Sequence, residues 1–423
     1  MWLLNVHSIQ LEEILDESQR PPYAILSHRW RAEEVSFAEL SERRELAEKK
    51  LGFVKIRKCC NVVKSQFQLD YVWVDTCCID KRNSADLQEA INSMYSYYEH
   101  STACIVYLDD VKVQPLEPSG WFTALKHSEW FKRGWTLQEL LASKSRSFYG
   151  AEWTALGTCH SMKEHTVASF FHDAVSKAAH VPLDVLLGRK KVEEFCIAHR
   201  MSWAAPRRTT RPEDISYSLM GLFRVNIPIL YGEGAAKAFE RLQQEILKSS
   251  FDQSIFVWRR PSTPGVTSSG LLASSPAHFM DTPEDLFLGR PGVLTPIAAN
   301  SLGLTIHTLL LKADANRTLF DMTEGYFAIF PCAIPDENYH RILAIVLQEI
   351  PGASVGGVSV EKLPGYRRVK CSEWFLLTRK DLKGRSLKTI PIVVLGNEQY
   401  ELFVQTTVAA HARRGPSLTD FTL

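Results

Sequence analysis

Long apolar runs are missing from this chain of 423 residues. Its most apolar stretches, RILAIVLQEI and TIPIVVLG, are strand-sized and fall far short of the ~20 residues that span a bilayer as a helix, so no membrane role is expected. The opening segment MWLLNVHSIQLEEIL lacks a basic n-region, and Asn5, His7 and Gln10 break its apolar residues, so no secretory leader is expected. The pattern C-x-x-C is missing too. The nine cysteines include the adjacent pairs Cys59–Cys60 and Cys77–Cys78, an odd count with neither zinc spacing nor a disulfide framework. They read as buried thiols of a reducing compartment, which makes a cytoplasmic location the expectation. Charge of one sign is also scarce. A formal net charge of +1 gives no field that would gather nucleic acid. No repeat of fixed period occurs, which excludes propellers and helical arrays.

What is present is an ordinary globular composition, 45% hydrophobic and 23% charged, on a length that suits two or three domains. Three short runs near the N-terminus, YAILSH from Tyr23, YVWVDTC from Tyr71 and CIVYLDD from Cys104, are continuously apolar and end abruptly in polar residues. Such runs suit strands buried on both faces, as in parallel sheets. Helical patterns lie between them. In SADLQEAINSMYSYYEH, Ser84 is a candidate N-cap and Leu87, Ile91, Met94 and Tyr98 form an apolar stripe. RSFYG, ending at Gly150, reads as a fourth strand. The alternation predicts a three-layer α/β domain with a parallel sheet over 1–150. Residues 151–250 read as mostly helical. Within them Gly232 and Gly234 of LYGEGAAKAF lack P-loop spacing and are expected to shape the entry to a helix. From 251 to 423 short β-prone runs punctuated by Gly and Pro follow the linker-like PSTPGVTSSG, and a β-rich sandwich or barrel is expected.

In parallel α/β sheets ligands bind beyond the carboxyl ends of the strands. Those ends carry Ser27, His28, Asp75, Asp109 and Asp110. A metal set of His28, Asp75 and Asp109 has no motif spacing, and none is expected. Trp30 and Trp73 read as core packing against ligand stacking, Asp80 as a cap for the following helix, and His28 as a ligand contact or a loop histidine. Arg133 is either a partner for a rim carboxylate or a phosphate contact. The segment HSEWFKRGWTLQELLASKSRSFYG poses the sharpest question. Wound as a helix it puts Trp130, Leu137 and Leu141 on one side and Glu139 on nearly the opposite side, with Trp135 at the i,i+4 spacing. Glu139 is then either a solvated charge or a carboxylate set beside an indole in a cleft.

The blocks PPYAILSHRW, YVWVDTCCIDKRNSADLQEAINSMY and EWFKRGWTLQELL resemble the fungal heterokaryon-incompatibility (HET) domain family. AHRMSWAAPRRTTRPEDISYSLMGLF and PILYGEGAAKAFERLQQEIL resemble its downstream blocks, so the likeness covers roughly the first 250 residues. One position departs from the family pattern: Arg31 stands where relatives carry Gly. AILSH and WTLQEL further resemble the first strand and the W-x-x-x-E-L helix of TIR domains. That resemblance implies a TIR-like, flavodoxin-like fold and gives Glu139 the position of the carboxylate that cleaves the nicotinamide–ribose bond of NAD. With NAD as substrate, the strand-end residues Ser27, His28 and Asp75 are candidate substrate-binding residues, together with Arg29 or Arg133 for a phosphate and Trp30 and Trp135 for stacking on adenine or nicotinamide. NAD would be substrate, and no cofactor is expected. The family likeness implies fungal self/non-self recognition that ends in cell death, either by NAD hydrolysis or by a non-catalytic module that oligomerises or passes a signal to partners. The implied partners are a second copy of the chain and a sensor or incompatibility protein.

Overall fold

In a computed structural model of the protein, residues 1–112, 120–160, 170–261, 268–288, 297–300, 303–313, 320, 322, 324–335, 341–355, 363–382 and 388–395 are described. Most of the linker expected at 261–270, and the strand expected at YELFVQTTV, lie outside those residues. The chain forms two compact units: Met1–Phe195 with Pro206–Ala238, and Cys196–Ala205 with Phe239–Leu423.

The first unit is built on a seven-stranded sheet of β1 (Trp2–Asn5), β2 (Leu11–Glu13), β3 (Tyr23–His28), β4 (Tyr71–Val74), β5 (Ala103–Tyr107), β6 (Ser145–Tyr149) and β7 (Ala155–His160). Its order is β2-β1-β4-β3-β5-β6-β7. The three expected strands are adjacent and parallel, with Ile25 of β3 registered between Trp73 and Cys104, and β6 continues the parallel set. All six residues of β3 are buried, as a continuous apolar run at the sheet centre requires. The edges depart from the expectation. β1, β2 and β7 pair antiparallel, so the sheet is mixed. Strand β7 falls inside the stretch read as mostly helical.

The chain steps from β3 to β4 on one side, then crosses back past β3 to β5 and on to β6. Right-handed crossovers put the Leu51–Val62 helix on one face and the Ser84–Glu99 and Trp135–Ala142 helices, which pack together, on the other. The connections leaving β3 and β5 run in opposite directions along the sheet, so the switch point lies at the carboxyl ends of these two neighbouring strands. The Ser84–Glu99 helix is capped one residue earlier than expected: the Asn83 side chain accepts from Ala85 N at 3.0 Å. Asp80 does not cap it but holds Arg82 at 2.9 Å.

In the second unit, the strands Gly303–Lys312, Tyr326–Ile334, Arg341–Val355 and Leu363–Val369 pair antiparallel in succession. Lys388–Leu395 then pairs parallel to Leu363–Val369 and antiparallel to Gly303–Lys312, which closes the ring into a small barrel. Phe327, Val346 and Leu377 are buried in its core, as closure without free edges demands.

Candidate functional site

A cavity of about 520 Å³ in the first unit lies at the carboxyl ends of β3 and β4. Arg29, Trp30, Asp75, Arg133, Trp135 and Glu139 all line it. The apolar stripe Leu87, Ile91 and Met94 forms part of its wall, so residues read as core packing also face the cavity. Ser27 and His28 stand behind the lining, both buried.

The helix that carries Glu139 spans Trp135–Ala142 and is buried nearly all round, from Thr136 to Leu140. Its phase therefore does not separate a core face from a solvent face. Leu141 is only half-buried while Leu140 is fully buried, and Glu139 is 6% exposed. Trp130, expected on the same helix, sits on the preceding turn, Glu129–Lys132. The reading of Glu139 as a solvated charge is corrected by this burial. Glu139 accepts a hydrogen bond from the Ser27 hydroxyl, and Ser27 in turn accepts from Trp130 Nε1 at 2.8 Å. Burial raises the Glu139 pKa to about 7, with the Asp75 charge adding to it; Ser27, Arg133 and Tyr98 act in the opposite direction. At neutral pH the group is then poised between its two forms.

A second chain of contacts starts at Trp30, which is 41% exposed and so belongs to the cavity wall, unlike Trp73 in the core at 1%. Trp30 Nε1 donates to Asp75 Oδ2 at 2.7 Å, and His28 Nε2 lies 3.4 Å from Asp75 Oδ1. Burial, with the nearby Lys55, Arg133 and Lys81 charges, keeps His28 far below its ordinary pKa and hence neutral. The Lys81 ammonium sits 3.7 Å from the Trp30 ring centroid, with the Arg133 guanidinium at 5.8 Å. Arg29 and Arg133 line the cavity without a carboxylate partner among the described residues. Arg31 pairs with Asp109 through two bonds of 2.5 and 2.7 Å and has no positive φ, so this position makes no demand for glycine here.

The far wall was not foreseen. Backbone bonds from Arg208 N to Lys132 O (2.8 Å) and from Gly134 N to Arg208 O (2.9 Å) stitch the segment after Pro206 to the base of the Glu139 helix. Arg207 is buried there, donating to Arg133 O and Thr136 Oγ1, while Arg208, Arg211, Asp214 and Tyr231 reach the cavity. The signal lay in RRTTRPED, part of a family-like block to which no site residue was assigned, and in LYGEG, read as a helix entry. Gly232 and Gly234 do enter the Ala235–Ser249 helix with φ of +100° and +85°, and both amides donate to Glu213 Oε1 at 2.9 and 3.0 Å. The loop cradles an anion, but the anion is the protein's own carboxylate.

The family model described as heterokaryon incompatibility protein (HET) matches residues 23–118. A second family, described as a domain of unknown function (DUF8212), matches residues 237–284. The vegetative incompatibility protein HET-E-1 of Podospora anserina is 43% identical over 239 residues, which is 55% of this chain and 17% of that relative. The chain thus spans less than a fifth of the length of the curated relative it matches. No solved structure matches the chain. Arg29, Trp30 and Asp75 fall inside the matched HET segment, whereas Arg133, Trp135 and Glu139 lie beyond it.

Proposed function

We propose that this chain acts in fungal vegetative incompatibility as a cytoplasmic, TIR-like NAD glycohydrolase whose activity leads to cell death, and that Glu139 is its catalytic carboxylate. The observation that carries the reading is the buried carboxylate of Glu139, held by Ser27 and with a pKa of about 7, at the edge of a cavity that Arg29 and Arg133 line without a carboxylate partner among the described residues. Hydrolysis turns NAD and water into nicotinamide, ADP-ribose and a proton. Nicotinamide leaves as a neutral base with the electron pair of the C–N bond, so no general acid has to protonate it. The ribose left behind develops oxocarbenium character, which an ionised Glu139 in a desolvated setting stabilises. Arg29 and Arg133 suit the diphosphate, and Trp30 and Trp135 supply aromatic surface for the nicotinamide side. Self-association and an incompatibility partner belong to the same proposal, as the means of switching the activity on.

The test is NAD consumption by purified protein, with Glu139→Gln as the comparison. Gln keeps size and hydrogen bonding and removes the charge, and the loss should be about 2–4 kcal/mol in barrier, a hundredfold or more in rate. Cell killing should fall with NAD loss. Full toxicity in a folded Glu139→Gln protein would put a non-catalytic signalling module in place of the enzyme.

A further inference from the structure

Beside the Glu139 helix the cavity has a second polar station that the proposed chemistry does not use. Asp214 lines it, half-buried. One of its oxygens accepts from Trp135 Nε1 at 3.2 Å and the other from the Tyr231 hydroxyl at 3.0 Å. A carboxylate has about four acceptor sites, so two neutral donors fix its orientation and leave capacity toward the cavity. Next to it the Arg211 guanidinium lies 4.0 Å from the Tyr231 ring centroid, a planar cation on an aromatic ring, and both line the cavity.

The station is rigidly built. The loop carrying Tyr231 is pinned on three sides to the Asp214–Tyr217 turn: Glu213 takes the Gly232 and Gly234 amides, Tyr217 takes the Leu230 amide at 2.9 Å, and the Tyr217 hydroxyl donates to Glu233 at 3.0 Å. Tyr217 also meets the Tyr231 ring edge-on at 5.7 Å. Such pinning holds a recognition pair in place before a ligand arrives. Trp135 ties the station to the Glu139 helix, one turn before the carboxylate, or about 6 Å along the axis.

We propose that Asp214, Tyr231 and Arg211 form the subsite for the second nucleoside of a dinucleotide: Asp214 accepts from the ribose diol, and the Arg211–Tyr231 pair stacks on a purine base. Carboxylates select vicinal hydroxyls as paired donors, and guanidinium planes and tyrosine rings both stack on bases. The diphosphate is then left to Arg29 and Arg133, which line the same cavity. This assignment rests on the NAD reading for the identity of the other half, but its test does not need turnover.

Binding of ADP-ribose and of nicotinamide mononucleotide to the full chain is measured by calorimetry. Asp214→Asn should weaken ADP-ribose about tenfold or more and leave the mononucleotide unchanged. Arg211→Gln, an exposed position whose replacement leaves the fold's buried contacts alone, should weaken ADP-ribose several-fold in the same selective way. Equal binding of ADP-ribose by wild type and both variants, equal loss of both ligands in a folded Asp214→Asn, or no ADP-ribose binding by the wild type overturns the subsite. Selective loss of ADP-ribose without any NAD consumption keeps the subsite and removes the hydrolase. NAD consumption that is indifferent to both variants does the reverse.

Discussion

Glu139 is a carboxyl group whose ionised form the fold penalises, and two consequences follow from the sign of that penalty. Catalysis by the charged form requires the proton to be off, so the rate should rise as pH increases through about 7. Stability runs the other way. A folded pKa raised from 4.5 to about 7 means that the contribution of this group is fully present below pH 4.5 and is lost as pH rises through 7. Glu139→Gln removes that dependence. Between pH 4 and pH 8 the stability difference should move in the variant's favour by about 3 kcal/mol, read by urea unfolding at both values. Parallel pH dependences for the two proteins would show that Glu139 is not desolvated as described. Ser27 supplies the opposing influence, since its hydroxyl favours the charged form of Glu139 and accepts from Trp130. Ser27→Ala should therefore push the midpoint of the pH–rate profile above 7. It should also cost about 1–3 kcal/mol by leaving the buried Trp130 Nε1 without its acceptor. An unchanged midpoint would mean that Ser27 does not tune the carboxyl.

At the scale of elements, what could be read from the sequence followed burial. YAILSH, YVWVDTC and CIVYLDD announce themselves because a strand covered on both faces has no room for alternation. Strands β1, β2 and β7 are short, antiparallel and partly exposed, with patterns too mixed to stand out. Phase reasoning failed on the Trp135–Ala142 helix because a helix buried nearly all round has no solvent face to define a phase. The side of the cavity next to β3 and β4 was legible from strand ends, Arg29, Trp30 and Asp75 among them. Its far wall was not, because it comes from a segment some 70 or more residues downstream that short backbone bonds at Arg208 bring in. Packing between elements is equally invisible in the sequence, and Gly221 shows it. A Cβ there would lie 2.2 Å from Tyr95 Cβ, at the contact between the Met220–Phe223 turn and the Ser84–Glu99 helix. Gly221→Ala should cost about 1–3 kcal/mol in chemical unfolding, as overpacking against an atom fixed to the backbone does. Wild-type stability in that variant would mean that the two elements are not in contact.

The whole molecule is less segmental than its sequence. The stretch expected to form one helical extension, 151–250, is divided: the chain leaves the first unit at Cys196, returns at Pro206, and leaves again after Ala238. The Ile197–Ala204 helix belongs to the second unit, where Ile197, Met201 and Trp203 are buried. Its N-terminal amides are satisfied from beyond residue 250, Ile197 N by Asp252 at 2.6 Å and Ala198 N by Ser254 Oγ at 3.0 Å, and His199 Nε2 meets Pro283 O at 2.8 Å. A chain cut after residue 250, where the sequence texture changes, would keep that helix and remove what covers it. Three large apolar side chains would then be returned to water at about 1.5–3 kcal/mol each, together with two helix amides that lose their acceptors. The fragment 1–250 should accordingly bind a hydrophobic dye strongly and aggregate, whereas full-length protein should do neither. A chain that joins Phe195 to Pro206 through a short flexible linker and ends after Ala238, so that the second-unit part of the Ala235–Ser249 helix with its buried Phe239, Leu242 and Ile246 is removed as well, should restore solubility to the first unit. A soluble, dye-silent 1–250 fragment would show that this helix does not depend on the second unit, and that the change of texture near residue 250 marks the true boundary.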